Sequence, residues 1–256
     1  MTSGMRLTVI GCSGSYPGPD SPASCYLVEA DDDAGRTWRI VLDMGNGALG
    51  VLQRYIDPLL IDAVLLSHLH ADHCVDMTSY YVLRKWHPTG PQPPIPVYGP
   101  KGTGRRLAKA YDLPKRPGMR EEFAFSTYTG PINLGPFRII PTAVEHPVDA
   151  YGLRIEAHGK VIAYSGDTAE TEALLDIATD ADLFVCEAAF RDGVENPPGV
   201  HITGVHAGEY ATKAHVKKLV VTHVPPWHDS ADALREARSA YDGPTELAAT
   251  GAVYDV

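Results

Sequence analysis

Short runs of apolar residues, many of them β-branched or aromatic, recur along the chain and predict β-strands. Longer segments with apolar residues at helical spacing predict amphipathic helices. The stretch DDDAGR (31–36) is typical of a hairpin turn, and the proline-rich stretch 87–96 is typical of a loop. The predicted strands are 6–12, 24–30, 38–43, 63–67, 137–144, 151–157, 160–166, 182–188 and 218–223, and the predicted helices are 74–86, 101–111, 169–178, 204–214 and 230–241.

The order of these elements indicates how the chain is organised. Hairpins open the sequence, whereas strands alternate with helices towards its end. Two apolar runs, AVLLSH (63–68) and LVVTH (219–223), both end in a hydroxyl residue followed by a histidine, which is consistent with two equivalent halves. We therefore predict an α/β fold with a single domain over residues 1–256, in which two face-to-face β-sheets carry helices on the outside.

Composition excludes several classes of protein. Hydrophobic residues make up 44% of the 256 residues and charged residues 21%, which excludes a disordered or fibrous chain. No apolar stretch approaches the roughly 20 residues that a membrane-spanning helix needs, and the N-terminal residues have no signal-peptide pattern. The four cysteines show no C-x-x-C spacing and are interpreted as buried thiols. We expect a cytoplasmic protein without a membrane segment.

The charge of the chain limits the classes of molecule that it can bind. The chain has a formal net charge of −10, which repels polyanions and disfavours general nucleic-acid binding. One segment reverses this balance, because residues 101–120 hold a single acidic residue, Asp112, and seven basic ones. A solvated helix face explains this segment most simply; the alternative is a positive rim that steers an anionic substrate. The basic residues are Lys101, Arg105, Arg106, Lys109, Lys115, Arg116 and Arg120.

The strongest chemical signal is the segment His68-Leu69-His70-Ala71-Asp72-His73, where an apolar strand ends and a helix begins. Imidazoles two residues apart on extended backbone project to the same side, and the turn into the helix can bring Asp72 and His73 close by. The segment therefore predicts metal binding. The alternative, a polar loop with a helix cap at Asp72, does not require three histidines.

Three further candidates also stand at predicted strand ends. They are His146 after FRIIPTAVE, Asp167 in AYSGDT, and His223 in KKLVVTH. Singly, each is explained by a capping aspartate or by a histidine with a backbone partner. Because sites in layered α/β folds are assembled from strand ends and the loops after them, we expect these residues to converge on the first cluster.

Together these motifs resemble the metallo-β-lactamase superfamily of binuclear metallohydrolases, which implies an αββα sandwich with two mixed sheets. The resemblance implies one metal ion on His68, His70 and His146, and a second on Asp72, His73 and His223. It further implies that Asp167 bridges the ions, that Asp72 also orients a metal-bridging hydroxide as nucleophile, and that Asp43 steadies the ligand loop. Two Zn²⁺ ions suit this donor set, with Mn²⁺, Fe or Co as alternatives.

The segments CEAAF (186–190) and HITGVHAGEYA (201–211) resemble the ribonuclease Z-like branch, which implies that Glu187 supports His201 on the leaving-group side of a phosphate. Only 20 residues separate His146 from Asp167, which leaves no room for the long arm of the tRNA-processing enzymes. The likeness extends to actinobacterial cyclic-nucleotide phosphodiesterases through GCSGSYPGPDSPAS, SHLHADHC and THVPPW. It implies hydrolysis of 3′,5′-cAMP, and also of cGMP, to 5′-monophosphates.

Other interpretations stay open at this point. They are another small phosphodiester or a tRNA 3′ end as substrate, a glyoxalase-II-like thioester hydrolase, and a catalytically silent nucleotide or metal sensor. Relatives of this type also imply a homodimer.

Substrate contacts are predicted at three residues. Trp227 is a candidate stacking surface for a nucleobase, and Ser13 and Ser15 could line the pocket or donate to phosphate. Tyr80, Tyr81 and Trp86 have helical spacing and are expected to pack in the core.

Overall fold

The computed structural model of the protein describes residues 4–256. Two mixed β-sheets of seven strands each pack face to face, and the helices lie outside them, as the sequence predicts. The second sheet is built only from strands between residues 132 and 247, whereas the first sheet combines strands from residues 5–127 with the last strand of the chain. Among residues 4–256, no helix has both the length and the apolar character that crossing a bilayer would require.

The first sheet has the strand order β14-β1-β2-β3-β4-β5-β6. Pairing is antiparallel from β14 to β3 and parallel from β3 to β6, so the sheet changes from hairpins to crossover connections at β3. Its strands are β1 (Met5–Gly11), β2 (Cys25–Asp31), β3 (Thr37–Leu42), β4 (Ala63–Leu65), β5 (Ile95–Gly99), β6 (Phe123–Thr127) and β14 (Val253–Asp255).

The second sheet has the order β13-β12-β11-β10-β9-β8-β7. Here pairing is parallel from β13 to β10 and antiparallel from β10 to β7. Its strands are β7 (Ile132–Leu134), β8 (Phe137–Val144), β9 (Ala150–Ala157), β10 (Lys160–Tyr164), β11 (Leu183–Glu187), β12 (Leu219–Thr222) and β13 (Thr245–Leu247).

Three hydrophobic layers hold the sandwich together, because the central strands are apolar on both faces. In β3, Ile40 and Leu42 face the core between the sheets, whereas Val41 faces the helices. The same alternation in β12 points Val220 inwards and Val221 outwards. The helices that cover the first sheet are α1 (Ala48–Leu52), α2 (Ala71–Cys74), α3 (Met77–Lys85) and α4 (Thr103–Ala110), and those that cover the second are α5 (Ala173–Ala178), α6 (Gly204–Lys213) and α7 (Ser230–Ala240).

Most predicted elements are present, and the missed strands are the four edge strands and β5, which lies next to the edge strand β6. All nine predicted strands form, but the short strands β5, β6, β7, β13 and β14 were not predicted. The stretch 87–96 is not loop throughout, because Ile95 and Pro96 begin β5. Pro96 is tolerated there because the pairing of β4 with β5 begins only at Val97, so no carbonyl of β4 needs the N–H that proline lacks. Helix α5 begins at Ala173 rather than at residue 169.

A glycine in the β7–β8 turn lets the second sheet approach a tryptophan of the first. Gly135 has φ 53°, and a Cβ there would overlap the Trp38 ring. The ring cannot easily move aside, because its Nε1 donates to Asp32 Oδ2 over 2.9 Å and the Arg36 guanidinium stacks on it at 4.0 Å. Only glycine satisfies both the backbone conformation and the contact.

We expect Gly135→Ala to lower the free energy of unfolding by about 2–5 kcal/mol. Left-handed backbone costs an alanine about 1–2 kcal/mol, and the overlap with Trp38 adds about 1–3 kcal/mol. Urea titration followed by far-UV circular dichroism measures the loss. The matched control is Gly159→Ala, since Gly159 has φ 71° and no atom within 4 Å of an added Cβ. Equal losses in the two variants would contradict the role of the Trp38 contact.

Candidate metal centre

Three histidines form a first group of converging ring nitrogens. His68 follows β4, His70 stands on extended backbone just before α2, and His146 follows β8 in the opposite sheet. His70 Nδ1 lies 3.1 Å from His68 Nε2 and 3.2 Å from His146 Nε2. This spacing brings three neutral nitrogen donors to one point, where they could hold a metal ion.

A second group lies beside the first and has two carboxylates. Asp167 Oδ1 is 3.2 Å from His73 Nε2, and Asp167 Oδ2 is 3.2 Å from His223 Nε2. Asp72 Oδ2 is 3.5 Å from His73 Nε2 and 3.8 Å from His223 Nε2. Asp167 Oδ2 also lies 3.6 Å from Nε2 of His68, so this one carboxylate faces both groups.

The buried carboxylate of Asp43, which follows β3, fixes the loop that carries the first four donors. Asp43 Oδ2 accepts hydrogen bonds from His73 Nδ1 at 2.8 Å, from the Ser67 hydroxyl at 2.7 Å and from the Tyr164 hydroxyl at 2.7 Å. Its Oδ1 accepts from the Ser67 backbone N–H at 2.7 Å. A fully buried charge needs such a set of donors, and the set also orients the His73 ring.

Hydrogen bonds to Nδ1 determine which ring nitrogen of His68 and of His146 is free. His146 Nδ1 donates to the Val200 carbonyl at 2.8 Å, so Nε2 keeps its lone pair. The Ser67 hydroxyl donates to Asp43 and therefore accepts from His68 Nδ1 at 3.1 Å, which again leaves Nε2 free. Burial is the main cause that lowers the pKa values of His68 and His146, which favours the neutral imidazoles that metal binding requires.

The donor set fits metal ions, because it contains buried atoms that no protein group satisfies. Within residues 4–256, His73 Nε2 and Asp167 Oδ1 have no hydrogen-bond partner although both are buried. Burial alone would raise the pKa of Asp167, but the surrounding imidazoles, chiefly His223 and His73, hold that pKa well below its usual range. A buried anion with an unsatisfied oxygen is expensive unless a cation compensates it.

Glu187, at the end of β11, joins a further histidine to this centre. His201 Nδ1 donates to Glu187 Oε1 at 2.9 Å, and the same oxygen accepts from the Thr168 backbone N–H at 2.7 Å. The His201 ring lies 5.5 Å from His146 and 5.6 Å from His223 between centroids, so it stands next to one member of each group. Burial lowers the pKa of His201, but the charge and hydrogen bond of Glu187 outweigh it and raise that pKa to about 9.

The three residues that were predicted to contact substrate differ in their environment and exposure. Ser13, a predicted substrate contact, is buried, and its hydroxyl donates to the Tyr16 carbonyl at 2.7 Å. The Ser15 backbone N–H points to His223 Nε2 at 3.4 Å, so Ser15 does stand beside the second group. Trp227 is exposed and packs against Tyr16, with ring centroids 5.2 Å apart.

The three aromatic residues expected in the core are also divided. Tyr80 and Tyr81 are buried, which confirms that expectation. Trp86 is 70% exposed, so its assignment to the core was wrong. It follows Lys85, the last residue of α3.

The basic segment follows β5, and the loop with His68, His70, Asp72 and His73 follows the neighbouring parallel strand β4, so both lie at the C-terminal ends of these strands. β5 ends one strand away from β4 and is followed by Lys101 and α4, and Arg106 Nε lies 3.5 Å from the Leu69 carbonyl. Arg105 and Arg106 are both exposed. A positive rim beside the candidate site is therefore compatible with the geometry.

Sequence reasoning missed the residues that support the ring orientations. Ser24 Oγ lies 3.0 Å from His223 Nδ1, and Tyr164 and Ser67 bind Asp43. Ser24 ends the motif GCSGSYPGPDSPAS and Ser67 precedes His68, so proximity to motifs was the available signal for two of them. Nothing in the sequence distinguishes Tyr164 from an ordinary strand residue.

Comparison with known proteins places the chain in a family. The profile of the beta-lactamase superfamily domain matches residues 38–224. An uncharacterized protein of Mycobacterium leprae is 42% identical, over 98% of this chain and 89% of its own length. A ribonuclease Z of Myxococcus xanthus is 27% identical, over 96% of both chains.

The metallo-beta-lactamase fold protein YhfI of Bacillus subtilis has a similar crystal structure. Its TM-score is 0.86 at 25% identity, over 99% of this chain and 100% of YhfI. YhfI is itself named a probable metallo-hydrolase. The profile match over most of the chain, the αββα architecture and the converging histidines and aspartates lead to one conclusion: the chain is a member of the metallo-β-lactamase superfamily, with a metallo-hydrolase fold.

Proposed function

We propose that the protein is a metal-dependent phosphodiesterase that hydrolyses 3′,5′-cyclic nucleotides, cAMP and also cGMP, to 5′-monophosphates. Its nitrogen and carboxylate donors suit two Zn²⁺ ions, with Mn²⁺, Fe or Co as alternatives. Metal ions held there would supply the activation of water and the neutralisation of phosphate charge. The first ion would be held by His68, His70 and His146, the second by Asp72, His73 and His223, and both by Asp167.

The protein's own residues would account for orientation and proton transfer. A water oxygen forms a bond to phosphorus and its proton passes to solvent, while the bond from phosphorus to the ribose O3′ breaks and O3′ takes up a proton. His201 would donate that proton from Nε2, because its Nδ1 is committed to Glu187. Asp72 would orient the attacking water, and Asp43 would act through His73 and Ser67 by holding the loop in place.

The observation that carries the proposal is the Glu187–His201 pair between the two groups of donors. A carboxylate-supported imidazole beside a metal centre is suited to bind phosphate and to protonate a departing alkoxide. Hydrolysis of a thioester has less need of such a donor, because a thiolate leaves more readily than an alkoxide. The similarity to a ribonuclease Z also supports phosphodiester chemistry.

Two observations favour a small substrate over a tRNA precursor. Residues 147–166 are used mainly by β9, β10 and the tight turn between them, without any long inserted arm. The net charge of −10 also disfavours a large polyanion. Cleavage of a tRNA 3′ end stays the second candidate because of the similarity to ribonuclease Z.

A substrate panel tests the proposal directly. We expect metal-loaded protein to convert 3′,5′-cAMP to 5′-AMP faster than it cleaves 2′,3′-cAMP, precursor tRNA or an acyl-glutathione, with products separated by chromatography. The Asp167→Asn variant, purified in parallel, controls for contaminating phosphodiesterases and should be inactive. Chelation followed by readdition of each metal should abolish and restore turnover. Release of 3′-AMP would reverse the assigned leaving group, and preference for the acyl-glutathione would overturn the proposal.

His201→Ala should lower kcat for 3′,5′-cAMP by about 10²–10⁴-fold, because the departing O3′ loses its proton donor. Metal content measured by elemental analysis should not change. Bis-p-nitrophenyl phosphate is an internal control, since p-nitrophenolate leaves without protonation and its turnover should fall much less.

Glu187→Gln keeps the size of that side chain but removes the charge that supports His201. We expect an intermediate loss for 3′,5′-cAMP and again a small one for bis-p-nitrophenyl phosphate. Equal losses on both substrates in the His201 variant would refute its role as proton donor.

Charge reversal at Arg105 and Arg106 tests whether the basic segment steers an anionic substrate. The Arg105→Glu/Arg106→Glu variant should lower kcat/KM about 3- to 30-fold at 10 mM ionic strength, and much less at 300 mM, where screening is strong. Lys213→Glu/Lys217→Glu is the matched control, because it changes the charge equally at the opposite end of β12. No loss at low salt, or the same loss in the control, would contradict steering.

A further inference from the structure

An exposed aromatic pair stands in loops that are attached to the candidate metal centre. Tyr16 is 41% exposed and Trp227 is 60% exposed, although their rings pack on each other at 5.2 Å with an interplanar angle of 36°. Two large rings that contact each other yet stay open to solvent leave substantial apolar surface uncovered. Such a surface is suited to a planar ligand.

The loop that carries Tyr16 is anchored to the strand end that supplies His223. The His223 backbone N–H donates to the Cys12 carbonyl at 3.0 Å, and the Gly14 N–H donates to the Val224 carbonyl at 3.2 Å. Ser15, immediately before Tyr16, directs its N–H to His223 Nε2 at 3.4 Å. Tyr16 is therefore one residue away from a contact with a predicted metal-binding atom.

The loop that carries Trp227 leaves the same strand end. Trp227 follows His223 by four residues, and Pro226 packs against Gly18 of the first loop. The Ser13 hydroxyl donates to the Tyr16 carbonyl at 2.7 Å, which is a hydrogen bond within the first loop. In the second loop the His228 N–H donates to the Pro225 carbonyl at 2.9 Å. Both rings thus stand on short, internally hydrogen-bonded segments, so little conformational freedom is lost when a ligand stacks on them.

Exposure alone does not single out this pair, because Trp86 is more exposed than either ring. Trp86, however, is the C-cap residue of α3, and Lys85 Nζ lies 5.8 Å from the centroid of its ring. It has no contact with the loops that carry the candidate site. Trp86 is therefore a natural reference for an exposed tryptophan without a ligand.

We propose that Tyr16 and Trp227 form the platform on which the nucleobase of the substrate stacks while its phosphate occupies the metal centre. This assignment rests on the proposed function, and it adds that the substrate is recognised through a planar aromatic base as well as through its phosphate. Stacking of a base on an aromatic side chain tolerates any base identity, so the platform favours nucleotides over base-free diesters without selecting adenine over guanine.

The kinetic test compares two cyclic diesters with metal-loaded protein. One is 3′,5′-cAMP, and the other is a methyl riboside 3′,5′-cyclic phosphate, which lacks the base. Trp227→Ala and Tyr16→Ala should each lower the ratio of kcat/KM for cAMP over the base-free diester about 5- to 100-fold. Trp227→Phe, which keeps a ring, should recover part of the ratio. Trp86→Ala should keep the ratio of the unmodified protein.

Binding is tested separately from turnover by tryptophan fluorescence. In the Trp86→Phe background, titration with 5′-AMP should quench the emission, and in the Trp227→Phe background most of that quenching should disappear. This readout needs no hydrolysis, so it still tests the platform if every cyclic nucleotide proves inert and the proposed function fails. Hydrolysis of cAMP with an unchanged ratio and unchanged quenching in both Trp227 variants would overturn the platform and leave the proposed function standing.

Discussion

The buried carboxylate of Asp167 is the constraint around which the centre is built. It lies 3.2 Å from His73 and from His223 and 3.6 Å from His68, so it contacts residues contributed by both sheets. One of its oxygens has no hydrogen-bond donor within residues 4–256. An anion in this position is stable only if positive charge is supplied, by protonated imidazoles or by metal ions. The fold thus places a requirement for cations where its two sheets meet.

Strand direction explains why this point can be reached from so many places in the sequence. β3 and β4 in the first sheet are parallel, and so are β10, β11 and β12 in the second. The residues that follow these strands therefore lie together at the C-terminal ends of the strands. The residues that follow are constrained further, since Asp43 and His223 both adopt left-handed backbone, with φ of 59° and 56°. This conformation is uncommon outside glycine, although Asp and His accept it more readily than most residues. Backbone strain of this kind is typical of functional sites.

The chemistry divides between rigid strand ends and the loops above them. The loop that carries the candidate metal-binding residues is anchored by Asp43, whose buried carboxylate accepts hydrogen bonds from His73, Ser67 and Tyr164. His201 and the Tyr16–Trp227 pair stand on loops that are tied to these strand ends. Within one superfamily fold, such loops are where substrate preference can differ while the metal centre stays the same.

Several features of this protein were determined by the sequence alone. The dense cluster His68-x-His70-x-Asp72-His73 marks the centre because no ordinary loop needs those side chains together, and apolar strands buried on both faces indicate a layered fold. Strands β6, β7, β13 and β14 were not predictable, because short edge strands owe their pairing to neighbours rather than to their own pattern. Strand β5 pairs on both sides, but it begins within a proline-rich stretch that is typical of a loop.

Only the tertiary structure decided which distant residues share the centre's hydrogen bonds and which aromatic residues stay exposed. Tyr164 reaches Asp43 across 121 positions of sequence, and Ser24 reaches His223 across 199. Trp86 and Tyr80 have similar local patterns, yet Tyr80 is buried against Phe123 of β6, whereas Trp86 follows the last residue of α3 and is exposed. Local sequence encodes donors and periodicity, whereas contacts between sheets depend on how the strands pack in space.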